Sequence, residues 1–206
     1  MPLNIVRWQQ LLERLSLSAE HKTYTALVAA YDAPQRHYHT AHHIAHCLAE
    51  LDLACDLATE PAEIEMALWF HDAVYDTHRT DNEQQSAEWA QRFLGEQGLP
   101  PARVQRVVDH IMATCHTGMP ASADSKLTVD ADLAILGTEA QRYGQFESDV
   151  RQEYSWVPEA VFRAKRAEIL ASFLARPYIY HSAYFRERHE AAARVNLAQA
   201  IRTLRG

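Results

Sequence analysis

The spacing of the apolar residues constrains the fold of this 206-residue chain more than any other feature of its sequence. Only six glycines and eight prolines interrupt segments whose apolar positions recur with a period near 3.6 rather than 2. The first such stripe consists of Ile5, Trp8, Leu11, Leu12 and Leu15. This period is typical of helices that bury one face. The sequence therefore predicts an all-α protein.

Capping signals and prolines predict where the helices begin and end. Ser18 is the expected N-cap of the second helix, and Thr80 with Glu83 has the spacing of a capping box for the fifth. The polar stretch 118–125 is expected to be a loop, with a helix beginning near Asp132. The other predicted helices cover residues 40–57, 61–75, 80–95, 100–112, 143–156, 158–174 and 184–204.

Composition excludes several classes of function. With 20 Lys and Arg against 27 Asp and Glu, the net charge of −7 disfavours binding to duplex nucleic acid or to an anionic membrane. No apolar run is long enough for a membrane span. Cys47, Cys55 and Cys115 form no C-x-x-C pair, so we expect neither a disulfide framework nor a zinc ribbon, and a cytoplasmic location fits best. With 48% apolar residues, the chain can build a core without a metal ion.

Histidine is unusually concentrated in one short segment. Five of the twelve histidines lie within residues 37–46: His37, His39, His42, His43 and His46. On a helix, residues four apart share a face, so His39 and His43 could direct two imidazoles at one point. Each of the five could equally be a surface or core histidine. The cluster permits a metal site without requiring one.

Two further segments carry polar side chains toward the interior. His71 and Asp72 end the apolar run 66–70, and burying both without partners would be costly. A metal ion or an ion-pair network would satisfy them. Asp130 and Asp132 lie among apolar residues where a helix is predicted to begin, so N-capping is an alternative for either. Imidazole and carboxylate ligands without thiolate suit Mn, Fe, Co, Ni, Zn or Mg.

The order of these residues resembles a known signature. His39, then His71-Asp72, then Asp132 on separate predicted helices is similar to the H…HD…D pattern of the HD-domain superfamily of metal-dependent phosphohydrolases. Arg36-x-x-His39-Thr40 and DADLAILG resemble the usual flanks of the first and last ligands. The segments RHYHTAHHI, ALWFHDAVYD, DNEQQSA and RPYIY…ERHEAAARVNL resemble a bacterial branch of predicted HD phosphohydrolases. The resemblance covers nearly the whole chain.

The resemblance implies an HD-domain helical bundle and a set of site residues. One domain would span residues 1–206, with a metal-binding core over about 34–140 and C-terminal helices over about 141–206 packed on it. The implied ligands of a divalent metal ion (Mn, Co, Ni, Fe, Mg or Zn) are His39, His71, Asp72 and Asp132. The segment CHTGMP resembles a region that adds a histidine in two-metal members, so a second ion would use His43, His110 and His116.

Catalytic and substrate-binding residues follow with alternatives. Tyr75 stands where related enzymes acting on mononucleotides often have a glutamate. Asp76 or Glu83 would therefore orient the attacking water beside Asp72. Glu83 could instead cap its own helix. Cationic side chains suit phosphate oxygens but are often only solvated charges. The candidates are Arg36, Lys165 and Arg166.

The resemblance implies hydrolysis of a small phosphate ester by water bound to the metal ion, and a nucleotide is the favoured substrate. Small molecules are the expected partners, and a homodimer is left open. Two alternatives remain: an HD-type di-iron oxygenase using His43, His110 and His116, and a non-catalytic sensor of metal or nucleotide. The sensor is kept because Tyr75 replaces the expected glutamate.

Overall fold

Helices make up the regular structure of residues 3–206, the part of the chain that the computed structural model describes. The predicted all-α class is confirmed, with ten α-helices of ten residues or more and no strand in this range. Met1 and Pro2, which the predicted domain includes, lie outside the described residues. The α-helices are α1 (Ile5–Arg14), α2 (Lys22–Tyr31), α3 (Ala41–Ala54), α4 (Pro61–Phe70), α5 (Asn82–Glu96), α6 (Pro101–Ala113), α7 (Ala123–Asp132), α8 (Ala140–Glu153), α9 (Glu159–Leu174), α10 (Ala183–Phe185) and α11 (Ala191–Arg205).

The chain divides into two compact units, the first ending at Asp132 and the second covering Leu133–Gly206. In the second unit, a 3₁₀ turn (Leu133–Gly137) precedes α8, and a π-helical turn (Arg186–Glu190) leads into α11. Over residues 3–206, every helix is too short or too polar to cross a membrane.

Helix α4 forms the centre of the first unit. Every side chain from Ala62 to Phe70 is buried, and the helix packs against α1, α3, α5, α6 and α7. The Trp8 ring from α1 lies 5.2 Å from that of Trp69 and 5.7 Å from that of Phe93, measured between centroids. Such edge and tilted contacts between large rings add to the burial energy of the core.

Two glutamates on this buried helix are neutralised by arginines. Glu63 accepts hydrogen bonds from Arg103 and Arg106 of α6, at 2.7 Å to each Nε. Burial alone would raise the pKa of Glu63, but these two guanidinium groups lower it below its usual value. Glu65 pairs in the same way with Arg7 and Arg14 of α1. The α4 backbone is thereby fixed between α1 and α6, and its C-terminal end delivers His71 and Asp72.

The predicted end of α4 at Tyr75 is wrong, because the helix stops at Phe70. The carbonyls of Asp72 and Ala73 accept hydrogen bonds from the Arg36 guanidinium, at 2.7 and 3.0 Å. The Val74 amide donates to Ser86 Oγ and the Asp76 amide donates to Asn82 Oδ1, rather than to the carbonyls four residues earlier, so residues 71–80 leave the helix. Asp76 therefore does not lie on a helix face shared with Asp72.

The predicted helix start near Asp132 is also wrong. Helix α7 begins at Ala123 and ends at Asp132, so the polar loop is shorter than predicted. Ser122 Oγ accepts a hydrogen bond from the Ser125 amide at 2.9 Å, which caps the first turn. Since Asp130 and Asp132 lie in the last turn of α7, the N-capping interpretation fails for both.

Two predicted caps differ in the structure. Helix α2 begins at Lys22, and the Glu20 carboxylate accepts hydrogen bonds from the Lys22 and Thr23 amides, so Ser18 is not the cap. Helix α5 begins at Asn82 with Asp81 at the N-cap position, so the predicted Thr80–Glu83 capping box is wrong.

Candidate metal centre

Four polar side chains converge at the ends of three helices in the first unit. His43 lies on α3, His71 and Asp72 directly follow α4, and Asp132 ends α7. The His43 Nε2 atom lies 3.2 Å from His71 Nε2, 3.3 Å from Asp72 Oδ2 and 3.1 Å from Asp132 Oδ1. The His71 Nε2 atom lies 3.1 Å from Asp72 Oδ2 and 3.5 Å from Asp132 Oδ1. We call these four residues the ligand quartet.

The separations within the quartet fit a single divalent cation. Nitrogen and oxygen ligands bind zinc at about 2.0–2.1 Å, which puts the corners of a tetrahedron about 3.3–3.4 Å apart. Five of the six pairs of quartet atoms are 3.1–3.5 Å apart. Two imidazoles and two carboxylates are also a donor set that first-row divalent metals accept. The residues present therefore suit a metal ion in both geometry and chemistry.

The tautomer of His71 is set for metal binding. Its Nδ1–H donates to the Leu68 carbonyl at 3.0 Å, one turn back along α4. In the neutral ring, Nε2 is then the nitrogen that carries the lone pair and faces the quartet. Histidine ligands of metals characteristically donate their other ring N–H to a carbonyl or carboxylate in this way.

Burial and mutual contact shift the pKa values of all four quartet residues. Burial alone lowers the pKa of His43 and of His71, but the neighbouring groups, including both quartet carboxylates, raise each well above its usual value. Burial alone raises the pKa of Asp72 and of Asp132, but the surrounding histidines lower each well below its usual value. The carboxylates are held ionised, which is the state that binds a cation.

The quartet is open to solvent on one side. The side chains of His43 and His71 are 1% and 2% exposed, whereas those of Asp72 and Asp132 are 15% and 14% exposed. An ion held by these four residues would be reached past the two carboxylates. That edge is where water and a substrate could approach.

Cys47, which the sequence did not indicate as a site residue, joins the same cluster. With His43, His71 and Asp132 it forms a group that could hold a metal ion, in which the four donor atoms lie within 4.8 Å of one another. Its Sγ lies 3.6 Å from Nδ1 and 3.7 Å from Nε2 of His43. Since it is equidistant from both nitrogens, the sulfur lies over the ring rather than along the Nε2 lone pair. Asp72 therefore completes the set better than Cys47.

His39, the first implied ligand, lies beside this cluster. Its ring centroid is 5.9 Å from that of His43, and the ring stacks on Tyr75 at 4.1 Å. It is close enough to Asp72 for its charge to help lower the pKa of that carboxyl group, which burial opposes. His43, assigned from the sequence to a second ion, occupies the position in the quartet. The role of His39 as a ligand stays a prediction.

Arg36 is buried rather than presented to solvent. Its Nη1 donates to the carbonyls of His39 and Asp72, at 3.0 and 2.7 Å, and its Nη2 donates to that of Ala73 at 3.0 Å. The rings of Tyr31 and Tyr75 lie 5.1 and 5.5 Å from the guanidinium carbon. The predicted contact of Arg36 with phosphate stays a prediction.

His110 and His116, the other two histidines predicted for a second ion, have different hydrogen-bond partners. His116 Nε2 donates to Asp132 Oδ2 at 3.0 Å, which fixes the carboxylate whose other oxygen belongs to the quartet. His116 has φ of 55°, a left-handed conformation that is uncommon outside glycine. His110 is buried on α6, with Nδ1 2.9 Å from Ser125 Oγ.

The two predicted carboxylates for orienting water occupy different surroundings. Asp76 is half exposed and accepts hydrogen bonds from the amide and ring of His78, at 2.9 and 3.1 Å. Glu83 lies in the first turn of α5, close to Cys115; burial, together with the Glu83 charge, raises the pKa of that thiol. Glu83 thus lies near the segment that carries His116.

Lys165 and Arg166, the predicted phosphate-binding cations, lie on α9 in the second unit. Lys165 is exposed and pairs with Glu168 at 2.8 Å. Arg166 binds Glu147 of α8 through two nitrogens, at 3.0 and 2.8 Å. Arg166 thus joins two helices of its own unit.

Comparisons with protein-family models, with curated proteins and with solved structures find no match to this chain.

Proposed function

We propose that this protein is a metal-dependent phosphohydrolase of the HD type that acts on a small phosphate ester, with nucleotides as the first substrates to test. The observation that carries the proposal is the quartet, in which each histidine Nε2 lies 3.1–3.5 Å from the other and from both carboxylates, at the ends of three helices. The HD-type helical bundle and the single metal ion belong to the same proposal.

His43, His71, Asp72 and Asp132 would hold the ion, and a bound divalent ion would supply a Lewis acid for a phosphate oxygen and a more acidic water. The protein contributes a fixed arrangement around it. His71 is oriented by the Leu68 carbonyl, and Asp132 is oriented by His116. Water and phosphate would approach the ion along the partly exposed carboxylate edge, and Glu83 is the candidate for orienting that water.

A phosphate-release assay tests this function. Metal-stripped protein is loaded in turn with Mn²⁺, Co²⁺, Ni²⁺, Fe²⁺, Mg²⁺ and Zn²⁺ and incubated with nucleotides and simple phosphoesters. We expect release with at least one ion, and loss of that activity in His71→Gln. The exposed His42 of the same histidine cluster gives the matched control, His42→Gln, which should retain it.

Other outcomes would favour the two alternatives. Two iron ions per chain with oxygen-dependent turnover would indicate the di-iron oxygenase. Calorimetric binding of a nucleotide without phosphate release across the metal panel would indicate the sensor. Full activity of His71→Gln would contradict the assignment of the site.

A further inference from the structure

We propose that Arg36 is a positioning residue, a clamp that joins the segment carrying His39 to the segment carrying His71 and Asp72 and thereby sets how tightly the quartet holds its ion. The proposal rests on the proposed metal site. It replaces the role in phosphate binding that the sequence suggests for this arginine.

The hydrogen bonds of Arg36 connect two separate stretches of chain. One nitrogen, Nη1, donates both to the carbonyl of His39 and to that of Asp72, and Nη2 donates to Ala73. Because the guanidinium group is planar and rigid, binding three carbonyls fixes their relative positions. The backbone of a quartet residue is thus tied directly to the backbone that precedes α3.

The bound carbonyls need these hydrogen bonds. Asp72 and Ala73 lie just beyond the end of α4, where carbonyls lack helical partners. A buried carbonyl without a donor is destabilising. Lysine keeps the charge but has one nitrogen, which cannot span the same three oxygens.

The surroundings of Arg36 disfavour direct contact with a substrate phosphate. The residue is 7% exposed, and the rings of Tyr31 and Tyr75 flank its guanidinium. A phosphate would have to displace carbonyl partners at 2.7–3.0 Å. Tyr75 also stacks on His39, so this ring covers the clamp where the family resemblance led us to expect a glutamate.

The charge-preserving variant Arg36→Lys separates the two roles. A clamp predicts that Arg36→Lys weakens Mn²⁺ binding by about 10–100-fold, the usual cost of losing a group that orients a metal ligand. Arg79→Lys, an exposed arginine of the segment that follows Asp72, is the matched control and should stay within about 2-fold of the wild type. Unchanged Mn²⁺ affinity with a raised KM for a phosphoester would overturn the clamp.

Hydrogen–deuterium exchange on the metal-free protein tests the clamp without any ion. Arg36→Lys should speed exchange in peptides covering residues 37–41 and 71–76, and unchanged exchange there would overturn the proposal. If wild-type protein binds none of the six ions of the assay panel, the proposed function fails while this measurement still decides the clamp.

A second variant serves if Arg36→Lys does not fold. Tyr75→Leu removes one covering ring and should speed exchange of residues 71–76. Tyr184→Leu, which removes a ring 5.3 Å from the Arg188 guanidinium in the second unit, should leave that peptide unchanged. Equal exchange of residues 71–76 in the two tyrosine variants would also overturn the clamp.

Discussion

The choice between His39 and His43 shows what sequence can and cannot decide at the scale of one residue. His43 lies on the buried stripe of α3 together with Ile44, Cys47 and Leu48, whereas His39 precedes the Thr40 N-cap. The helical period of the apolar residues therefore indicated that His43 faces the interior. The family motif points to His39 instead, and the four-residue spacing allowed either imidazole to reach the site. Packing of α3 against α4 and α7 brings His43 into the quartet, and the role of His39 as a ligand stays a prediction.

His110 should make the fold sensitive to acid. It is 2% exposed, and burial lowers the pKa of this imidazole below its usual 6.5. Because folding favours the neutral ring, the stability that His110 contributes is fully present above about pH 6.5 and is lost as pH falls through its folded pKa. Urea unfolding between pH 7.5 and 5 should show a smaller loss of stability in His110→Gln than in the wild type.

Comparing wild type with His110→Gln cancels the pH-dependent contributions of other histidines to stability, including those of opposite sign. His43 and His71 have raised pKa values, so they favour the folded state at low pH in both proteins. Parallel plots of unfolding free energy against pH for the two proteins would show that His110 does not contribute to the acid sensitivity.

Cobalt spectroscopy tests whether Cys47 is a ligand. Because Sγ lies over the His43 ring, we expect Co²⁺-loaded protein to lack the sulfur-to-cobalt charge-transfer band in the near ultraviolet. Cys47→Ser should then bind Co²⁺ with an affinity within a few-fold of the wild type, as should the control Cys115→Ser. A charge-transfer band that Cys47→Ser removes and Cys115→Ser retains would place the thiolate in the metal's coordination shell.

At the scale of helices, sequence reasoning predicted which segments are helical better than where α4 and α7, next to the quartet residues, begin and end. Apolar periodicity identified α4, but the backbone just beyond its end bonds to a distant side chain, since Arg36 binds carbonyls 36 and 37 residues further along the chain. The start of α7 had a local signal in Ser122 and Ser125, which the run of apolar residues after Asp132 obscured. Long-range contacts of this kind leave no periodic trace in the sequence.

Two glycines of the second unit give a paired test of helix packing. A Cβ built on Gly137 would lie 2.5 Å from His189 Cβ and 2.8 Å from the His189 carbonyl oxygen, whereas one on Gly144 in α8 meets nothing within 4 Å. Gly137→Ala should therefore destabilise the protein by about 1–3 kcal/mol. Gly144→Ala should stabilise it by about 0.5–1 kcal/mol. Chemical denaturation measures both.

The reverse order of stabilities, or equal ones, would show that the π-helical turn carrying His189 does not approach the 3₁₀ turn as closely as these distances indicate. The DADLAILG segment that resembles the HD pattern ends in Gly137. Close packing against His189 is a structural reason for a glycine at this position, independent of any metal.

At the scale of the whole molecule, apolar periodicity predicted the all-α class correctly, because the 3.6-residue period recurs along the entire chain. The aromatic cluster around Trp8 and Trp69 supplies a core that uses no metal. The quartet could be predicted only in part, since its members are separated by up to 89 positions and meet through the packing of α3, α4 and α7. Lys165 and Arg166 were predicted to bind phosphate from their positive charge alone. Charge does not distinguish a phosphate contact from an ion pair such as those with Glu168 and Glu147.

The central claim is that the quartet binds one divalent ion, and Mn²⁺ titration of metal-stripped protein tests it most directly. Asp72→Asn removes a quartet carboxylate, and Asp76→Asn removes an exposed carboxylate four residues later. We predict one Mn²⁺ per chain for wild type and Asp76→Asn, and at least about 100-fold weaker binding for Asp72→Asn, because a lost ligand costs no less than a lost group that orients one. Equal stoichiometry and affinity in all three proteins would contradict the claim.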